Sequence, residues 1–198
     1  MGTQSKSRGF FDLRSQFIFY ASYHNNPANV AIHLFCIWNI VWSGQVLLQF
    51  TPSLVSTPAM VSSWCEHIHL NFAALTTLIY VIAYLLMDPL AGGLGAALMV
   101  GIYLGTGTLV NTTSTLGGWP LWQAVLLFHV TMWILQFIGH GVFEKRAPAL
   151  LDSWDQAFIT APLFVLLEVL FFFGYKKQFY QECMVQVRKN IATFKKNH

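Results

Sequence analysis

Four apolar runs, at residues 30–50, 67–87, 90–110 and 119–140, dominate this sequence, and each is long enough to cross about 30 Å of hydrocarbon as a helix. Inside lipid a backbone has no water to bond, so uninterrupted runs of that length predict spanning helices. Composition agrees: 55% of the residues are hydrophobic and only 10% are charged, against about 25% charged in soluble domains. The chain therefore reads as all-α, a polytopic membrane helix bundle forming a single integral membrane domain over residues 1–198. The net charge of +3 sits at the two ends and in one loop, a distribution that suits anionic head groups and excludes a nucleic-acid partner. Cys36, Cys65 and Cys183 are odd in number and never paired as C-x-x-C, which excludes a disulfide framework and a zinc finger.

The segments around the runs complete the architecture. Residues 1–9 are polar and expected to be disordered, and no apolar core with a cleavage site lies in the first 29 residues. Over residues 10–23, Phe10, Leu13, Phe17 and Tyr20 recur at helical spacing with Asp12, Arg14, Ser15 and Gln16 between them, which predicts an amphipathic helix in the interface plane. Asn26 is a natural cap and Pro27 a natural first residue for the helix that follows. The third run carries six glycines, read as close helix contacts of the kind that Gly101 and Gly105 would provide.

Residues 156–175 are apolar but contain Pro162 and Glu168, so the segment is either a fifth span or a re-entrant or interfacial helix. Charge favours the second form. All eleven Lys and Arg lie before the first run, at Lys145 and Arg146, or from Lys176 onward. Four crossings place every one of them, including a basic tail at 176–198, on the cytosolic side. The ending Lys195-Lys196-Asn197-His198 matches a dilysine retrieval signal, and Asn111-Thr112-Thr113 is a sequon on the lumenal side.

That topology sorts the histidines. His24 and His33 bracket the start of the first run and His140 ends the fourth, so all three fall at one membrane face. His67 and His69 begin the second run at the other face, roughly 30 Å away. His129 lies eleven residues before His140, roughly 16 Å along a helix, and reads as a buried, hydrogen-bonded residue. One interfacial imidazole is unremarkable; three at one face, with Glu144 four residues past His140, make a metal site. Such a set suits iron with open positions, and Glu144 either orients an imidazole or pairs with Lys145, Arg146 or Arg14. A haem held by His33 with His140 or His129 stays open on these residues alone. The H-x-x-x-H and H-x-x-H-H boxes of di-iron hydroxylases are absent.

Two blocks carry a resemblance. One runs through Leu13-Arg14-Ser15-Gln16, Phe19-Tyr20, Tyr23-His24, Asn26-Pro27, Asn29-Val30 and Ile32-His33. The other comprises Trp133, Gln136-Phe137, Gly139-His140-Gly141-Val142-Phe143-Glu144-Lys145-Arg146 and Pro148-Ala149-Leu150. Together they resemble the fungal 2-hydroxy-fatty-acid dioxygenases, over about residues 10–175, with the middle matching in hydropathy only. The resemblance implies a multi-pass endoplasmic-reticulum enzyme with both termini cytosolic. It implies Fe(2+) as cofactor, molecular oxygen and a 2-hydroxy fatty acid as substrates, and loss of one carbon in the alpha-oxidation that degrades phytosphingosine. His24, His33 and His140 fall on the family's motif histidines, while Asn25 stands where some relatives carry another histidine. Chemically, a 2-hydroxy acid can chelate iron through carboxylate and hydroxyl. Arg14, Lys145 or Arg146 would hold the carboxylate, and Glu144 completes the expected catalytic set. Phe171 to Phe173 read first as packing and second as neighbours of the acyl chain. The rival reading is a non-enzymatic structural or lipid-organising membrane protein whose histidines are incidental.

Overall fold

The computed structural model describes residues 9–62, 67–145 and 156–197. The disorder expected over residues 1–9 falls almost wholly outside them. Helix α1 is Leu13–Tyr23, α2 Pro27–Gln49, α3 the single turn Ala59–Ser62, α4 Phe72–Met87 and α5 Pro89–Thr112. A two-residue hairpin, Thr115–Leu116 against Trp119–Pro120, leads into α6, Leu121–Ile138, which runs on as a π-helical turn, Gly139–Glu144. A second π turn, Gln156–Thr160, opens α7, Ala161–Phe172, and α8, Lys177–Asn197, closes the chain. The molecule is an all-α membrane bundle.

Local chemistry sets these boundaries. Asp12, Asn26, Asn71 and Asp88 each accept backbone N–H bonds at the start of α1, α2, α4 and α5, and Pro27 and Pro89 occupy first positions that need no donor. Each such cap contributes about 1 kcal/mol. Among the described residues, three helices are long and apolar enough to cross a bilayer: Pro27–Gln49, Pro89–Thr112 and Leu121–Glu144.

The second predicted run behaves differently. Its residues 67–71 precede α4, which is a 16-residue apolar helix. Tyr103 Oη donates to the His69 carbonyl and the Leu54 N–H to the Leu70 carbonyl, so these non-helical residues are bonded within the protein instead of facing lipid.

Packing follows the pattern of a protein dissolved in lipid. Leucines such as Leu78, Leu86, Leu98 and Leu127 face outward, while polar side chains join helices inside. Gln45 donates to Thr76 and Thr77, and Gln49 donates to Thr106 and accepts from Asn71. Such bonds hold helices together where no hydrophobic effect drives them. Glycine also acts here, but not where the small-residue pattern points. Gly101 and Gly105 have open space beside them, whereas a Cβ on Gly92 would sit 1.9 Å from the Tyr84 carbonyl oxygen. The close approach is therefore at the α4–α5 turn, because a tight antiparallel connection brings the two backbones nearest there.

The third boundary question concerns the C-terminal third. After α7 the chain turns at Gly174, with φ 91°, and α8 leaves at 117° to α7. Residues read as a basic tail thus form an amphipathic helix docked on α1. Cys183 and Val187 are fully buried in that contact, Arg14 pairs with Glu182 at 2.6 Å, and Asn190 Nδ2 donates to Ser22.

Candidate metal centre

Three elements converge at one end of the bundle. His24 caps α1, its backbone N–H reaching the Ala21 carbonyl; His33 lies two turns into α2; His140 lies on the π turn that ends α6. All three are buried, and each offers a ring nitrogen within 4.8 Å of the others. Such a trio has a common point no farther than about 2.8 Å from every nitrogen, slightly beyond the imidazole–metal bond of about 2.0–2.1 Å. Ring centroids are 4.2 Å apart for His24 and His33, 5.0 Å for His24 and His140, and 4.8 Å for His33 and His140.

The backbone prepares two of these rings. His24 Nδ1 lies 2.7 Å from the Tyr20 carbonyl and His33 Nδ1 lies 2.9 Å from the Asn29 carbonyl, each one helical turn back. A carbonyl only accepts, so Nδ1 carries the proton in both rings and Nε2 keeps its lone pair for a metal. Tyr20 stacks on the His24 ring at 4.2 Å and fixes its plane.

Gly139 and Glu144 bring the third ring into place. A Cβ at Gly139 would lie 2.4 Å from Asn29 Oδ1, so only glycine lets the end of α6 approach α2 this closely. Glu144 Oε1 accepts the backbone N–H of Asn25 at 2.5 Å and of Asn26 at 2.6 Å, and Asn29 Nδ2 at 3.2 Å. A carboxylate at the start of α2 is also favoured by the helix dipole. It therefore ties α6 to α2, a role that neither side-chain pairing expected from sequence describes. The π turn carries five residues between bonded groups instead of four, which places Glu144 away from the regular helical side that it would share with His140.

The expected cations are dispersed. Arg14 begins α1, ten residues before His24 and so about 15 Å along the helix; its guanidinium pairs with Glu182 and lies 5.2 Å from the centre of the Phe179 ring. Lys145 is exposed, in a left-handed conformation with φ 52°, and Arg146 lies outside the described residues. His129 is hydrogen-bonded as expected but only half-buried: Trp133 Nε1 donates to its Nε2 at 3.0 Å, and its Nδ1 lies 2.8 Å from Ser43 Oγ.

Sequence reasoning missed Asn29, fully buried behind both His33 and Glu144, although its spacing of four residues from His33 was legible. It also missed Tyr20 as the partner of His24. A cavity of about 790 Å³ opens beside His24, with Glu168, Phe171 and Phe172 also on its lining.

Comparison with known proteins places this chain in a family. No solved structure matches the chain. The chain is 35% identical over 167 residues, 84% of each protein, to the 2-hydroxy-palmitic acid dioxygenase MPO1 of Saccharomyces cerevisiae. Residues 10–173, which include all three imidazoles, match the family model described as 2-hydroxy-palmitic acid dioxygenase Mpo1-like, and the chain belongs to that family.

Proposed function

We propose that this protein is an Fe(2+)-dependent dioxygenase of the endoplasmic-reticulum membrane that removes one carbon from 2-hydroxy fatty acids. What supports the reading above all is the convergence of His24, His33 and His140 within 4.8 Å; the relative's activity on 2-hydroxy-palmitic acid supplies the substrate class. The residues fit a ferrous ion: three nitrogen donors with no carboxylate among them leave the ion its positive charge, and a one-sided set leaves positions open. Bound there, iron supplies a Lewis acid for a chelating 2-hydroxy acid and a partner for molecular oxygen.

The protein's own groups orient and shelter. The Tyr20 and Asn29 carbonyls hold His24 and His33 in the ligating tautomer, and Glu144 keeps the π turn and its His140 against α2. Burial of all three rings excludes bulk water from the reacting carbons. In the overall reaction the C1–C2 bond breaks, C1 leaves as carbon dioxide, and oxygen takes four electrons. R–CH(OH)–COOH and O2 become R–COOH, CO2 and H2O. Lys145, exposed just after the π turn, would attract the carboxylate, and Arg146 is the next residue in the chain.

The test is turnover of 2-hydroxypalmitate by the purified protein with ferrous iron, in air and without it, following the acid one carbon shorter together with bound metal. Oxygen- and iron-dependent product is the expected result. No product and no bound iron would return the protein to a structural or lipid-organising role, and a strong Soret band would mean haem.

A further inference from the structure

The cavity beside His24 is built from one face of each of four helices. Its α2 wall is Val30, Ala31 and Leu34, its α7 wall includes Glu168, Phe171 and Phe172, and α1 and α8 close the remaining sides. These are spacings of three and four residues, so each helix presents a continuous stripe to the same space. At about 790 Å³ the cavity has the size of a small-molecule site. Its lining is mostly apolar, with His24, Asn25 and Glu168 among its polar members, and Leu34 and Phe172 on it are exposed at the surface of the bundle. A chain can therefore enter from the bilayer and end beside His24.

Glu168 lies on the lining, and Tyr20 packs against the His24 ring. Glu168 Oε2 and Tyr20 Oη are both buried and, among the described residues, neither has a hydrogen-bond partner. A buried carboxyl without a partner is expensive to retain, about 1–3 kcal/mol or more. It is explained when a ligand supplies the missing donor.

We infer that this cavity holds the acyl chain of the 2-hydroxy acid, with its carboxylate toward the imidazoles and its 2-hydroxyl donating a hydrogen bond to Glu168; the inference rests on the dioxygenase reading above. Glu168 is then the residue that selects a 2-hydroxy acid over the unsubstituted acid. The unsubstituted chain fills the same space but leaves the carboxyl unpaired, and unpaired buried polar groups give strong discrimination. The second cavity, about 500 Å³ between α2, α6 and the second π turn, has His129 as its one imidazole, already bonded to Ser43 and Trp133.

Two measurements on the full-length protein test this. A 2-hydroxypalmitate carrying a diazirine at its far end is photolysed in nanodiscs and the labelled residues are mapped by mass spectrometry. Label on Phe172, Tyr180 or Met184 is expected; label on Trp133 or Phe158, in the second cavity, overturns the inference. Competition against that probe then compares 2-hydroxypalmitate with palmitate. The wild-type protein is expected to prefer the hydroxy acid by about tenfold or more, Glu168→Leu to bring the preference within about twofold at unchanged iron content, and Glu168→Gln to keep part of it. An unchanged preference in both variants overturns the assignment of Glu168. Failure of the dioxygenase reading looks different: the wild-type protein then neither turns over 2-hydroxypalmitate nor lets it displace the probe, and the inference falls with it.

Discussion

His129 and the His24–His33–His140 trio occupy the same bundle and share α2 and α6, yet they are opposite solutions to placing imidazole among helices. At His129 both ring nitrogens are used within the protein, one by Trp133 and one by Ser43. In the trio the backbone takes Nδ1 of His24 and of His33, and one ring nitrogen of each residue lies within 4.8 Å of the others. The first arrangement is cross-bracing; the second is a site. A membrane histidine is thus classified by where its second nitrogen points, not by its burial.

The largest effect expected from that contrast is on metal. His24→Ala, His33→Ala and His140→Ala should each remove bound iron and lower turnover by about 100-fold or more, since each removes one of three ligands. His129→Phe should leave iron stoichiometric and turnover within about threefold, while lowering the melting temperature by a few degrees through loss of two hydrogen bonds. Metal analysis beside thermal unfolding separates them; equal iron loss in His129→Phe would erase the distinction.

A smaller effect is expected where the trio's geometry is set rather than its ligands. Gly139→Val puts methyl groups against Asn29 and should weaken iron binding by about 10–100-fold. Gly141→Ala, with open space beside it, should leave binding unchanged. Matched iron titrations of the two variants check this.

Next comes Glu144→Gln, which keeps the shape but weakens the bonds to Asn25, Asn26 and Asn29. About 1–2 kcal/mol of stability should go, with iron affinity falling in step. If stability drops and affinity does not, Glu144 braces the helices without holding His140.

The smallest effect belongs to the contact between the α4–α5 turn and the α7–α8 corner. Burial works to raise the Asp88 carboxyl's pKa, but bonds from Lys176 at 2.8 Å, Tyr175 and the Ala91 N–H outweigh it and hold it below its ordinary 3.8. The same ion pair raises Lys176 above 10.5. Asp88 therefore contributes stability that is present above pH 3.8 and lost as pH falls through its lower folded value. Lys176 contributes stability that is present below pH 10.5 and lost as pH rises through its higher folded value. With Lys176 41% exposed, the pair is worth about 1 kcal/mol. Asp88→Asn should lower the melting temperature at pH 7 and flatten its fall in acid, leaving iron content unchanged.

Much of this was written in the chain. The apolar runs, the Asn26-Pro27 and Asp88-Pro89 helix starts and the placing of three histidines at one end all follow from spacing and hydropathy, because those are local or one-dimensional properties. Even the dull reading of His129 could be made from its distance to His140. Other features are pairings between distant segments. Glu144 was visible as a carboxylate, but its partners Asn25 and Asn26 lie more than 115 residues away. The six glycines were visible, but which of them meet a backbone depends on how α5 packs against α4 and the residues before it. The basic residues from Lys176 onward were visible, and only the buried Cys183 and Val187 made them a docked helix.

What the sequence by itself determined is a membrane helix bundle with its imidazoles gathered at one face, since span length and charge order leave little choice. Tertiary structure alone decided that those rings come within 4.8 Å of one another, and that Glu168 lines the cavity beside His24. Direction and distance between segments are properties of packing, and no single stretch of chain contains them.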